Sequence, residues 1–386
     1  MHQVLTITAA VCALLGLAGA AYFGLCVWAA GRFRRESVRA RASAGDFAPP
    51  VSILKSLKGL DPHMYAAFCS HCRFDYGEYE LLFGASDPGE PALELVRRVQ
   101  QEFPDRNIRV VMCPLSLGMN GKVSTLAQMV PEAKHEHILI NDSDIVAPPD
   151  YLRRVMRWFA DKRVGMVTSL YRGLAGKTMP SRMEALGINT DFMGGVLVAR
   201  EIEGGVHFAL GATMAISKTV LREIGGLEAL VDYLGDDYEL GARTSAAGYK
   251  VELADVVVET AVPDYTIRRF WSHQMRWARN NKHLRTEQYF GLIVTFGLAG
   301  AILSVMAAPQ AWWAWTAFAI VAATRLAAVV AIGRGVLNDP NVLRDLWMVP
   351  ARDFAALAVW LVSLAGNEVE WRGMKYRVRD GKLEKA

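Results

Sequence analysis

A chain of 386 residues, 52% of them hydrophobic, is too apolar for an ordinary soluble enzyme and too polar for membrane helices alone. Its net charge of +4 is modest, and no dense basic block interleaved with aromatics points to nucleic acid. Cys12, Cys26, Cys69, Cys72 and Cys113 are an odd set with two in an apolar segment; this excludes a disulfide framework, and reduced thiols are expected. The C-x-x-C pair Cys69 and Cys72 has no second pair with which to build a structural zinc site.

Val4 to Ala30 carries no charged side chain and is long enough to cross ~30 Å of hydrocarbon. The small residues Ala18-Gly19-Ala20-Ala21 are compatible with signal-peptide cleavage, but His2-Gln3 gives no basic n-region. Arg32, Arg34, Arg35, Arg39 and Arg41 follow instead. The positive-inside rule therefore makes residues 1–31 an anchor with its C-terminal flank in the cytoplasm.

From residue 47 short apolar runs alternate with helical ones. Strands are expected at Val51–Leu54, Glu80–Gly84, Ile108–Met112, His137–Ile140 and Val164–Ser169. Helices are expected at Pro91–Phe103, Lys122–Val130 and Tyr151–Ala160. Such alternation argues an α/β domain, 47–264, with a mostly parallel sheet and helices on both faces. Neither a G-x-G-x-x-G fingerprint nor a P-loop appears.

Acids recur at the ends of these strands, where open α/β sheets bind ligands. The second strand ends in Ser86-Asp87-Pro88-Gly89, and the fourth in Asn141-Asp142-Ser143-Asp144. Asp236-Asp237 then opens an amphipathic helix closed by Gly248. Each acid alone fits a turn or a helix cap. Two carboxylates one residue apart repel, however, and a hard cation with oxygen ligands would relieve them.

Residues 268–285 mix Phe270, Trp271, Trp277 and Leu284 with six basic side chains, the pattern of an interfacial amphipathic helix, assigned to 265–289. Three apolar stretches follow within 290–366. Gly291–Ala308 is uncharged, Trp312–Ile332 carries only Arg325, and Leu346–Gly366 is interrupted by Pro350, Arg352 and Asp353. An Arg-Asp pair at membrane depth faces protein or a water-filled cavity. The last stretch therefore either crosses or turns back, giving two to three spans. Four full spans in all would put the basic tail 367–386, with Arg372, Lys375, Arg377 and Arg379, on the non-cytoplasmic side.

Asp87, Asp142-Ser143-Asp144, Asp236-Asp237-Tyr238 and His273-Gln274-Met275-Arg276-Trp277 stand in the order D, D-x-D, (E/D)-D-Y, (Q/R)-x-x-R-W. With that order between one N-terminal span and a C-terminal membrane region, the chain resembles membrane-bound glycosyltransferases of family-2/21 type. More narrowly, it resembles the ceramide glucosyltransferase family and its bacterial relatives in hopanoid biosynthesis. The resemblance runs from Pro49-Pro50-Val51-Ser52-Ile53-Leu54-Lys55 to the end.

It implies a GT-A catalytic domain, Rossmann-like with a mostly parallel sheet, flanked by transmembrane helices. Asp87 would hold the uracil or ribose of the donor. Lys122, in Asn120-Gly121-Lys122, would bind the nucleotide. Asp144, with Asp142 nearby, would hold Mg²⁺ or Mn²⁺ on the diphosphate. Asp237 would be the general base, and Arg276 and Trp277 would contact diphosphate and acceptor. His273 departs from the family's Gln or Arg, with Gln274 one place on.

The implied reaction is inverting transfer from UDP-glucose or UDP-N-acetylglucosamine to the hydroxyl of a ceramide-type or hopanoid lipid. It would take place at the cytoplasmic face of a multi-pass membrane protein. The residues agree: cations at Lys122 and Arg276 and a metal at Asp144 would stabilise a leaving diphosphate, and a carboxylate at a helix start can take a proton. A processive polysaccharide synthase would share the motifs but normally has more spans. A non-catalytic membrane scaffold would show broken acids, and these are intact.

Overall fold

The computed structural model describes residues 2–42, 45–371 and 374–385; Arg372 of the basic tail lies outside them. In chain order the chain forms α1 (His2–Ala42), β1 (Val51–Ser56), α2 (Met64–Cys72), β2 (Tyr79–Ala85), α3 (Ala92–Glu102), β3 (Ile108–Met112), α4 (Gly121–Met129), β4 (His137–Ile140) and α5 (Tyr151–Met156). There follow β5 (Val164–Ala175), α6 (Met179–Leu186), α7 (Met193–Ile202), β6 (Met214–Ser217), α8 (Lys218–Glu223), α9 (Asp236–Ala246), β7 (Lys250–Val262), α10 (Ile267–Leu284) and α11 (Thr286–Gly291). Last come α12 (Gly297–Ala307), α13 (Trp312–Val329), α14 (Val342–Asp345), α15 (Val349–Ser363), β8 (Glu368–Trp371), β9 (Met374–Arg379) and β10 (Lys382–Lys385).

Two compact units result. The first comprises Ser37–Gly176, Ile202–Pro263 and the stretch from Arg377 on. Its centre is a seven-stranded sheet of order β3-β2-β1-β4-β6-β5-β7. All neighbours are parallel except β6, which runs antiparallel to both β4 and β5. The α/β fold with a mostly parallel sheet is thus as expected from the alternating pattern. Helices cover the sheet, so β1, β2 and β4 are buried and read as continuous apolar runs. On α3, Leu93, Val96 and Val99 recur at helical spacing and face the core. Asn120 caps α4, its Oδ1 accepting from Lys122 N and Val123 N. At the end of α9, Gly248 takes a φ of +88°, which a residue with a Cβ adopts only under strain.

The second unit comprises the chain up to Glu36, Lys177–Glu201 and Asp264–Tyr376. Among the described residues, four helical segments are long and apolar enough to cross a membrane: Gln3–Ala42, Thr286–Ala307, Trp312–Val336 and Leu346–Ser363. The stretch between β5 and β6 belongs to this unit, although its neighbours in sequence build the sheet. Charges inside the apolar helices are paired. The Arg325 guanidinium reaches Asp353 Oδ1 at 2.7 Å and Asp191 Oδ1 at 2.5 Å. Arg352 packs on Gly187, where a Cβ would lie 2.3 Å from its Nε. Both members of the Arg352-Asp353 pair therefore face protein, as intramembrane charges do. Lys282 Nζ donates to Ser363 O and Gly366 O, and Arg279 Nη2 to Ala365 O. These two cations of the helix read as interfacial thus bind the carbonyls at the end of α15 and just beyond it.

α1 and α12 cross on glycine. A Cβ on Gly19 would stand 2.5 Å from Gly297 Cα, and one on Gly297 would stand 2.7 Å from Gly19 Cα. Near the same crossing Ser304 Oγ donates to Ala9 O at 2.8 Å. Close backbone approach of this kind is the usual basis of helix association in lipid. Gly19→Leu is therefore expected to destabilise the detergent-solubilised protein by the ~1–3 kcal/mol typical of overpacking or more, read as a lower melting temperature. Gly24→Leu on the same helix, where a Cβ meets nothing within 4 Å, is expected to be silent. Equal effects from the two would remove the crossing from the account.

Candidate active site

The carboxyl ends of the parallel strands carry the chemistry. β4 delivers Asn141, Asp142 and Asp144 as its apolar run ends. Lys122 is held at the start of α4 by the Asn120 cap. Asp236 and Asp237 open α9 behind Gly235. These three elements meet at one ammonium: Lys122 Nζ lies 2.8 Å from Asp142 Oδ1 and 3.3 Å from Asp236 Oδ2. Asp237 Oδ2 accepts from Gly211 N at 2.9 Å. A Cβ on Gly211 would sit 3.3 Å from Asp142 Oδ2, 3.3 Å from Asp237 Oδ2 and 3.7 Å from Lys122 Nζ. Glycine there lets backbone approach two carboxylates and an ammonium together.

The electrostatics follow from that crowding. Burial, then the neighbouring Asp236 charge, pushes the Asp237 carboxyl up to about 6, with Lys122 pulling the other way. Burial disfavours the Lys122 ammonium, but Asp142 and Asp236 outweigh it and hold its pKa above the usual lysine value. Asp237 is not acting as the cap of α9. Its Oδ1 accepts from the next amide, Tyr238 N, while its Oδ2 reaches across to Gly211.

Asp144 turns away from Lys122. Its Oδ2 accepts from Thr260 Oγ1 at 2.5 Å and from Ala261 N at 3.2 Å, on β7. Burial and the nearby Asp142 raise its pKa. The donor set suits a hard cation: carboxylate oxygens only, one residue apart, with more negative charge than the site neutralises. Among the described residues no three His, Cys, Asp or Glu side chains are grouped to hold a metal by themselves. A cation at Asp142 and Asp144 would need oxygens from elsewhere, and a bound diphosphate carries them.

Asp87 stands outside this cluster. It is exposed, and its Oδ1 accepts from Gly89 N in the turn after β2. His273, Arg276 and Trp277 belong to the other compact unit. There His273 Nδ1 lies 2.9 Å from Glu184 Oε1, and Gln274 Nε2 donates to Glu184 Oε2 at 2.8 Å. Gln274 Oε1 in turn accepts from Arg352 Nη2. The Trp277 ring packs between His273 and Phe192, at centroid distances of 5.3 and 5.4 Å. Arg276 is half-buried on the same helix.

Four participants escape a sequence reading. Gly211 lies in Leu210-Gly211-Ala212-Thr213 and has no motif around it. Glu184, 1% exposed, lies on α6, inside the span 47–264 read as the catalytic domain but packed in the other compact unit. Thr260 is one β-branched residue in a strand. Lys55 did leave a signal, a cation within an apolar strand. It is fully buried, donates to Asp142 O at 3.0 Å, and burial lowers its pKa to about 7 against the pull of Asp144 and Asp142.

With an acid cluster at the carboxyl edge of a mostly parallel sheet and membrane-length helices in the same chain, the comparisons identify a glycosyltransferase of GT-A fold. The chain belongs to Glycosyl transferase family 21, whose family model matches residues 8–384. It is 22% identical to Ceramide glucosyltransferase 1 of Caenorhabditis elegans over 349 residues, 86% of this chain and 72% of that protein. Against Ceramide glucosyltransferase 3 of the same organism it is 23% identical over 232 residues, 60% of this chain and half of that protein's length. In fold it is similar to the mannosyltransferase PcManGT from Pyrobaculum calidifontis, solved with GDP-Man and Mn²⁺. There the TM-score is 0.51 at 19% identity, covering 92% of this chain and 99% of that one.

Proposed function

We propose that the protein transfers a sugar from a UDP-sugar, glucose or N-acetylglucosamine, to the hydroxyl of a membrane lipid with inversion at the anomeric carbon. The acceptor is a ceramide-type or hopanoid alcohol. The observation that carries this reading is the meeting of Lys122, Asp142 and Asp237 over Gly211, with Asp236 paired to the same ammonium. The ceramide glucosyltransferases of C. elegans named above support a lipid acceptor.

Asp237 takes the proton of the acceptor hydroxyl. Its Oδ2 is steered by Gly211 N and its pKa is poised near neutrality, as suits a general base. The acceptor oxygen attacks from the face opposite the diphosphate, so an α-linked donor gives a β-glycoside and no second carboxylate becomes a nucleophile. Lys122 presents its ammonium to the diphosphate, and Asp87 holds the uracil or ribose. Asp144, with Asp142 nearby, would hold Mg²⁺ or Mn²⁺, which would supply charge neutralisation at the leaving diphosphate. Arg276 and Trp277 serve diphosphate and acceptor, on a helix whose neighbouring His273 and Gln274 are pinned by Glu184.

The catalytic unit lies in the cytoplasm in this reading, on the strength of the arginines after the first span. The tail supports one further point of topology. Leu383 N donates to Asp232 O at 2.7 Å, within the unit that carries the sheet. On this reading the chain returns to the side of the catalytic unit and crosses an even number of times after Pro263. In this reading Thr286–Ala307 and Trp312–Val336 make that pair, and the helix Leu346–Ser363 does not cross. Protease added to sealed, cytoplasm-inside vesicles is expected to spare both residues 47–285 and an epitope placed after Ala386. Cleavage of the epitope with the catalytic unit intact would mean that Leu346–Ser363 crosses.

Asp144→Ala is expected to abolish transfer while the protein still inserts and folds. EDTA should do the same to the parent enzyme, reversibly on adding Mg²⁺ or Mn²⁺. Full turnover in EDTA would remove the metal.

Asp237→Asn is expected to lower turnover ~10²-fold or more, the usual scale for a lost general base, with UDP-sugar binding retained. Asp236→Asn should cost less. The base works deprotonated, so kcat/KM should rise with pH through about 6 and fall below it. Asp236 raises the Asp237 pKa, so Asp236→Asn should move that limb to lower pH. A larger loss at Asp236, or a limb that moves up, would reassign the base.

A further inference from the structure

We infer that the C-terminal strand is a positioning element of the donor site, bracing the loop that sets Lys122 and Asp236. The inference rests on the donor reading of that cluster given above. β9 and β10 are joined through Asp380 and Gly381, both at positive φ (50° and 75°), a two-residue hairpin turn. β10 then runs along loop 231–234. Leu383 N donates to Asp232 O at 2.7 Å, Leu234 N donates to Gly381 O at 3.1 Å, and Tyr233 and Lys382 form an antiparallel bridge. Leu383 is 3% exposed, and Lys382 Nζ stands 5.3 Å from the Tyr233 ring centroid.

The other side of the same loop holds the start of α4. Val231 O accepts from Asn120 N at 2.6 Å, Asp232 Oδ1 from Met119 N at 2.9 Å, and Tyr233 O from Asn120 Nδ2 at 2.8 Å. The fit is close, since a Cβ on Gly118 would fall 2.6 Å from Val231 Cγ2 and 2.7 Å from Asp232 Oδ1. Asn120 Oδ1 fixes the amides of Lys122 and Val123. Two residues beyond the loop lies Asp236, paired with Lys122. A continuous set of hydrogen bonds thus runs from Leu383 through residues 231–234 and Asn120 to the backbone amide of Lys122. The loop's backbone is divided between two clients, and removing one leaves Leu234 N and Asp232 O without their partners. The strand acts by holding geometry, and its loss is felt in donor binding.

The test uses the full chain, the chain ending at Arg379, Leu383→Pro, which removes the N–H given to Asp232 O, and Leu383→Ile, which keeps it. Hydrogen exchange by mass spectrometry and the Kd for UDP with Mn²⁺ are measured for each, with KM for donor and acceptor taken separately. The truncation and Leu383→Pro are expected to speed exchange in residues 115–125 and 230–240 but not in 79–85. They should also weaken UDP binding and raise donor KM ~10-fold, with acceptor KM within ~2-fold of the parent. Leu383→Ile should behave as the parent, and a synthetic peptide of residues 377–386 should restore the truncated enzyme. Unchanged exchange, or faster exchange with unchanged UDP affinity, would overturn the brace. Equal losses in donor and acceptor KM with a lowered melting temperature would also overturn it, reducing the strand to general stability. A full-length parent that binds no UDP would sink the donor reading itself, while the exchange data would still report on the brace.

Discussion

The Lys122 ammonium is the constraint on which the catalytic unit depends. Asp142 arrives from the end of β4, and Asp236 and Asp237 from the start of α9. Without a cation between them, these three carboxylates would repel one another. With it, three elements far apart in sequence are drawn to one point at the carboxyl edge of the sheet. Burial first, and then the Asp236 charge that the one ammonium does not fully offset, push the Asp237 carboxyl up to about 6. The negative charge left over also suits Asp142 and Asp144 to a divalent ion. Stability and chemistry thus arise from the same crowding.

The membrane-length helices solve a different problem with the same physics. Lipid offers no hydrophobic drive for helix association, so close packing and paired polar groups must serve. Gly19 against Gly297 supplies the first. Arg325 between Asp353 and Asp191 supplies the second. Asp191 comes from the stretch between β5 and β6, whose apolar run Leu197 to Ala199 has its place in this unit. Buried ion pairs are weak evidence for stability in a soluble core, but removing one partner in an apolar setting leaves a costly lone charge.

Much of the fold was legible because it is local. The runs at Ile108–Met112 and His137–Ile140 are strands at their expected bounds, and Val51 and Tyr151 begin their elements as read. Asp236-Asp237 does open a helix that Gly248 ends. What the sequence withholds is pairing across distance. Nothing around Gly211 marks it as the floor of the acid cluster, and nothing around Glu184 marks it as the partner of His273 and Gln274. β5 outruns its expected end at Ser169 and reaches Ala175, because pairing with β7 sustains Arg172 and Gly173 where local propensity does not. The tail read as a basic stretch. Its Asp380-Gly381 was a hairpin signal, but strands this short and charged show weak alternation.

The central claim is that this acid cluster moves one sugar onto a lipid alcohol. The most direct measurement is mass spectrometry of lipids from membranes carrying the protein, supplied with UDP-glucose and UDP-N-acetylglucosamine in turn. The account predicts a new species, with one of the two donors, heavier than an endogenous lipid alcohol by a single sugar residue. Sugar appearing only as a polymer, only as free sugar, or not at all would contradict it.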